Sequence, residues 1–305
     1  MKKIYAFSLI AFVAVIALIL GGILMILSSE SDFGDGNIAV INLDDMIVSK
    51  TEDSGLFGEI QPDVNDYINL LEEAENNDNI DAVILRINSP GGEVIASEKL
   101  ARKIKEVSEK KTVVAYIETL GASGSYMVAA STDYIVAEKH SIVGSIGVRM
   151  DIVHYYGLME KLGVNATVIK AGEYKDIGSP YRPMTPEEKA YLEKMINETY
   201  LDFVKWVAEN RNMTLNETLK VADGKIYSGS DAQKVGLVDE VGTEEDAINA
   251  AARLANISSP KTVEYNPADS LGLFGVVYNL GYGIGKGFGE TMNMAEKFKS
   301  YNLYY

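Results

Sequence analysis

Ser123 lies in Gly121-Ala122-Ser123-Gly124-Ser125-Tyr126, and Lys175 lies downstream in Ala171-Gly172-Glu173-Tyr174-Lys175-Asp176-Ile177-Gly178-Ser179-Pro180. The first segment joins a strand-like stretch, Thr112 to Ile117, to an apolar helical run that begins near Ser123. A hydroxyl at that junction sits at a helix N-terminus, where backbone N–H groups stabilise developing negative charge. The pair points to a serine hydrolase that works without histidine, and its chemistry is acyl transfer. On local sequence alone Ser123 also reads as a helix-capping serine.

A second segment, Asn88-Ser89-Pro90-Gly91-Gly92-Glu93, follows the apolar stretch Ala82 to Ile87 and precedes another helical pattern. Paired glycines let backbone approach a ligand closely and turn its N–H groups toward it. The expectation is an oxyanion hole formed by the backbone of Gly92 and Gly124, each donor being worth about 2.7–4 kcal/mol of transition-state stabilisation. The same residues also read as an ordinary tight strand-to-helix turn.

Elimination narrows the choice of base. The chain has no cysteine, which removes thiol nucleophiles, disulfides and thiolate metal sites. His140 and His154 are its two imidazoles, and neither belongs to a His-Glu-x-x-His pattern, so no metal site is expected. A Ser-His-Asp triad would draw on one of them with Asp133 or Asp151, yet neither histidine lies in a glycine-rich loop like the one framing Ser123. Lys175 is left as general base. A free lysine titrates near about 10.4 and is protonated at neutral pH, so this role requires an apolar setting that disfavours the charge. Tyr174, Ile177 and Pro180 would contribute to one, whereas Asp176 facing the amine would oppose it. Taken as an isolated loop residue, Lys175 reads as a surface lysine. Ser145, in Val143-Gly144-Ser145-Ile146-Gly147, is a supporting hydroxyl for the lysine amine or an ordinary turn serine.

The elements that must position these groups follow from periodicity. Strands are expected over Ile38 to Leu43, Ala82 to Ile87, Thr112 to Ile117, Tyr134 to Ala137 and Ala166 to Lys170. Helices are expected over Val64 to Ala74, Val94 to Glu109, Ser123 to Ala130, Ile152 to Leu162, Thr185 to Asn210, Leu215 to Ala222 and Ser230 to Val235. Thr185-Pro186-Glu187-Glu188 carries a capping hydroxyl, a first-turn proline and acids, which starts the long helix and leaves Lys175 in the loop before it. The alternation implies an α/β fold with a parallel core.

The chain opens with Met1-Lys2-Lys3 and then runs from Ile4 to Leu27 without a charge, about the 20 residues a helix needs to cross hydrocarbon. The expected organisation is a membrane anchor over 1–29, a tether over 30–37, a protease domain over 38–257 and a glycine-rich apolar tail of open role over 258–305. The leading lysines place the catalytic body on the extracytoplasmic side of a single-pass cell-membrane protein. With 44 acidic against 28 basic residues the net charge is −16, which repels phosphate backbones, so no nucleic-acid partner is expected.

Asn88-Ser89-Pro90-Gly91-Gly92, Ala122-Ser123-Gly124, Gly144-Ser145-Ile146-Gly147-Val148 and Tyr174 to Pro180 with Met184-Thr185 recur in that order in one family. Over about Ile38 to Ala251 the chain resembles the signal peptide peptidase A family, membrane-anchored Ser/Lys proteases. The resemblance implies a Clp-protease and crotonase-like ββα superhelix, with Ser123 as nucleophile, Lys175 as base, Gly92 and Gly124 as oxyanion donors, and Ser145 orienting the lysine. It also implies no cofactor, a homo-oligomer in which serine and lysine can come from adjacent subunits, and short apolar peptide substrates such as cleaved signal peptides. Ser125 departs from the glycine many relatives carry there. Two other readings share the fold: a catalytically silent scaffold of a membrane complex, and an acyl-CoA enzyme.

Overall fold

Three long stretches, β1 (Ile38–Ile47), β2 (Ala82–Gly92) and β3 (Thr112–Ala122), open as nearly continuous runs of buried apolar residues. Strands buried on both faces read this way in parallel sheets, and these pair parallel, with Ile38 opposite Ala82 and Ala82 opposite Thr112. The computed structural model describes residues 36–50 and 62–266. The expected anchor from Ile4 to Leu27 and the glycine-rich stretch from Leu271 lie outside the described residues, among which no helix is long and apolar enough to cross a membrane.

Among the described residues the sheet has eight strands, and its main path runs β6-β5-β3-β2-β1-β8. Here β5 is Ile142–Gly144, β6 is Ile226–Ser228 and β8 is Thr262–Tyr265. The two remaining strands, β4 (Tyr134–Ala137) and β7 (Glu240–Val241), extend from the lower half of β3. Only β5 and β6 pair antiparallel. The outcome is a mixed α/β fold around a mostly parallel sheet.

Alternate residues of each central strand face opposite layers. Ile41, Leu85 and Ala115 join the larger core with α1 (Val64–Asn76) and α2 (Val94–Ser108). Val40, Ile84 and Val114 face α8 (Glu244–Leu254), whose Ala247, Ala250 and Ala251 bring that helix close to the sheet. The long helix α5 (Pro186–Asn210) begins where its sequence signals put it. Thr185 Oγ1 accepts from the Glu188 N–H at 3.1 Å, and the Glu188 carboxylate accepts from the Thr185 N–H at 2.9 Å. Trp206 docks the helix onto the core, its indole N–H donating to Ser131 Oγ at 3.0 Å.

Two expectations from periodicity fail in the stretch between β5 and α5. Ala166 to Lys170 form no strand, and the helix expected over Ile152 to Leu162 shrinks to α4 (Tyr156–Lys161). No residue from 147 to 187 is buried, so alternating side chains there have no sheet face to pack on and their backbone has no strand to pair with. Conversely, residues 262–265, read from sequence as part of the tail, form β8 in parallel register with β1. The short strands β5 to β8, and helix α8, are elements that the periodicity reading left out.

Candidate active site

Strand register assembles one end of the sheet. Ser89 lies opposite Gly121, Gly121 opposite Val143, and Ala122 opposite Gly144. Gly91-Gly92 are the last two residues of β2, Ser123 follows β3 and Ser145 follows β5, so three segments distant in sequence end side by side at this end of the sheet. The Ser123 N–H donates to the Gly144 carbonyl at 2.8 Å and extends the ladder by one residue.

Ser123 adopts φ 56° and ψ −125°, a conformation that favours glycine and costs other residues roughly 1–3 kcal/mol. Such strain is typical of an exposed nucleophile on a strand-to-helix turn. Its carbonyl starts α3 (Gly124–Ala130) by accepting from the N–H groups of Tyr126 and Met127 at 2.9 and 3.1 Å, while its hydroxyl makes no capping hydrogen bond. Capping therefore does not account for Ser123. The side chain projects instead into a cavity of about 590 Å³ that Gly92, Gly124 and Ser145 also line.

The glycine segment is fixed by close packing. Gly91 has φ 91°, and a Cβ there would fall 2.5 Å from the Gly124 nitrogen; a Cβ on Gly92 would fall 1.9 Å from the Ile47 carbonyl oxygen. A side chain at Gly91 would push the segment away from the serine turn, and one at Gly92 would push it off β1. Ser89 Oγ donates to the Asp45 carbonyl and accepts from the Gly91 N–H at 3.2 Å, which fixes the segment from below. Ser125 is fully buried, and its Oγ stands 2.6 Å from the Ser89 carbonyl and 2.8 Å from that of Ala122. Neither serine's role was legible in the sequence, because one partner of each lies on another strand. The apolar part of the cavity wall comes from Met46, Val94, Met127 and Phe203.

Four of the five expected site residues, Ser123, Gly92, Gly124 and Ser145, thus share one cavity, and Lys175 is not part of its lining. Lys175 is exposed, on the stretch 147–187 that has no buried residue, with its backbone N–H donating to the Gly172 carbonyl at 3.2 Å. Asp176, the neighbour that would oppose a lysine base, is turned elsewhere. Its carboxylate takes a two-pronged hydrogen bond from Arg182, at 2.9 and 2.8 Å, and also pairs with Lys170. Arg182, and then Lys170, hold the Asp176 carboxyl well below the usual range. Arg182 reaches Glu188 as well, and with the Thr185 N–H lowers that carboxyl to about 2. Arg182 thereby ties the lysine loop to the first turn of α5.

The histidines do not assemble a triad. His140 is exposed, and His154 Nδ1 lies 3.1 Å from the Ser179 carbonyl; neither lines the Ser123 cavity. Asp133 accepts from the Val113 N–H at 2.8 Å, and exposed Asp151 lies beside Arg149.

Comparison with known proteins places the chain among peptidases. The model of peptidase family S49 matches residues 105–258. A protein of Methanocaldococcus jannaschii named "Putative protease MJ0651" is 60% identical over 302 residues, 97% of each chain. "Putative signal peptide peptidase SppA" of Enterococcus faecium is 33% identical over 221 residues, 72% of this chain and 64% of its own. "Serine protease SPPA, chloroplastic" of Arabidopsis thaliana is 39% identical over 183 residues, 60% of this chain and 27% of its own. With a match to the family model over half its length and a relative that it covers nearly end to end, the chain belongs to peptidase family S49, in agreement with the resemblance read from its motifs.

Proposed function

We propose that this protein is a membrane-anchored serine endopeptidase with a Ser/Lys dyad and a Clp-protease and crotonase-like fold, acting on short apolar peptides such as cleaved signal peptides. The observation that carries the reading is the strained, uncapped Ser123 facing a cavity beside Gly92 and Gly124. In the first half-reaction neutral Lys175 accepts the Ser123 proton, Oγ bonds to the substrate carbonyl carbon, and the Gly92 and Gly124 N–H groups hold the oxyanion. The C–N bond then breaks, and the leaving amine takes its proton from the Lys175 ammonium. Water, deprotonated by Lys175, releases the acid and restores Ser123. The apolar wall of Met46, Val94, Met127 and Phe203 suits apolar side chains.

Lys175 stands in solvent in the single chain, and the surrounding stretch exposes Val153 at 73%, Leu162 at 68% and Ile169 at 95%. In the proposed enzyme a second copy covers this stretch and receives Lys175 at its own Ser123. That burial supplies the desolvation a lysine base requires. The oligomer is a homo-oligomer whose bodies lie on the extracytoplasmic face, anchored by the run from Ile4 to Leu27.

A fluorophosphonate probe tests the reading. Covalent labelling of Ser123, with turnover of an apolar peptide lost in both S123A and K175A, is the expected outcome. Wild-type turnover in either variant overturns it, and a protein that neither labels nor cleaves peptides fits the silent scaffold instead.

A further inference from the structure

Ser97 lies in the first turns of α2, is 1% exposed, and gives its backbone N–H to the Glu93 carbonyl at 2.9 Å. Its hydroxyl is different: among the described residues Ser97 Oγ is the buried side-chain polar atom without a hydrogen-bond partner. A helical serine commonly returns its proton to the carbonyl one turn back, and a buried hydroxyl that fails to do so destabilises the fold. Orphaned groups of this kind call for an explanation, and a catalytic role is one.

The location supplies it. Ser97 lines the Ser123 cavity. A Cβ built on Gly124 would stand 2.1 Å from Ser97 Oγ and 3.2 Å from the Gly92 nitrogen. The hydroxyl and the Gly92 N–H therefore border one small space on the same side of Gly124, directly next to Ser123. Any side chain at position 124 would fill that space and cut the hydroxyl off.

Resting on the reading of Ser123 as nucleophile, we propose that the Ser97 hydroxyl is a third hydrogen-bond donor to the oxyanion of the tetrahedral intermediate. With no protein partner for its proton, it gains one when negative charge develops on the former carbonyl oxygen. An interaction stronger in the transition state than in the ground state raises kcat and leaves KM unchanged. No proton is transferred; Ser97 donates a hydrogen bond while bonds form and break at Ser123.

The test compares S97A and S97C in the full chain with wild type. Cysteine keeps the approximate volume and supplies only a weak donor. The assays are kcat and KM on an apolar peptide, the affinity of a peptide aldehyde whose serine adduct carries the oxyanion, the affinity of the matching peptide amide, and the melting temperature. Expected is a fall in kcat of at least about tenfold in both variants, a similar loss of aldehyde affinity, and unchanged KM and amide affinity. S97A should melt at or above the wild-type temperature, because it removes a buried polar atom that has no protein partner. Wild-type kcat in S97A overturns the proposal, as does equal weakening of aldehyde and amide, or a loss of rate that tracks a lowered melting temperature. S123A separates the two readings: turnover persisting in S123A removes the nucleophile, whereas a dead S123A beside a fully active S97A removes only the third donor.

Discussion

The Ser125 hydroxyl stands 2.6 Å from the Ser89 carbonyl, and through it the serine turn after β3 is fastened to the glycine end of β2. These two segments carry Gly124 and Gly92, so this buried contact helps to set the spacing of the two proposed oxyanion donors. A glycine at position 125 would leave that spacing to the backbone alone.

Replacing Ser125 by Ala removes a buried hydrogen bond and should lower stability by about 1 kcal/mol. Urea unfolding reads this as a lower midpoint at constant slope. A reduced kcat is expected alongside it, because the two donors lose their fixed separation.

The backbone of Ser123 predicts the opposite sign for a neighbouring change. Glycine adopts φ 56°, ψ −125° without steric cost, so S123G should be inactive and more stable by roughly 1 kcal/mol. An inactive variant that unfolds at a higher denaturant concentration is the expected result, and a midpoint below wild type would argue against strain at this turn.

Gly92 tolerates no side chain. With the Ile47 carbonyl 1.9 Å from the position of a Cβ, G92A must shift the segment, and kcat should fall by about 100-fold or more. Steady-state kinetics on the folded variant, verified by circular dichroism, provides the measurement.

If Lys175 acts on the Ser123 of a neighbouring copy, S123A and K175A complement each other. Mixed oligomers of the two inactive variants should then regain turnover, since some interfaces pair an intact serine with an intact lysine. Co-expression followed by a peptide cleavage assay measures it, and the absence of regained activity from verified mixed oligomers would place both residues in one chain.

Acid should loosen the loop that carries Lys175. Arg182 holds both the Asp176 and Glu188 carboxyls below their ordinary values. Depressed carboxyls contribute stability above their unfolded values and lose it as pH falls. For Glu188 the window runs from 4.5 down to about 2. Pepsin cleavage within 147–187 should accelerate across that window in wild type, whereas R182Q should cleave readily at its upper edge and show a weaker pH dependence.

Much of the molecule was legible locally. The apolar runs of β1 to β3 announced a parallel sheet, Thr185 and Glu188 announced the start of α5, and small residues around Ser123 and Gly91-Gly92 announced tight turns. Each signal rests on contacts within a few residues, which is the range that periodicity and capping encode. Ala166 to Lys170 misled for the same reason: alternation predicts a strand only where a second strand stands ready to pair.

The sequence by itself determined which groups were available for chemistry. It offered a serine at a turn, paired glycines and a lysine, with no cysteine and only two histidines. Tertiary structure alone decided which of them meet within the chain. The pairings of Ser89 with Gly121 and of Ala122 with Gly144 bring three segments to one cavity, the Gly144 carbonyl holds Ser123 in a strained conformation, and Arg182 draws Asp176 into an ion pair. These relationships join residues on different strands and loops, and strand register, which no local pattern specifies, fixes those at the cavity.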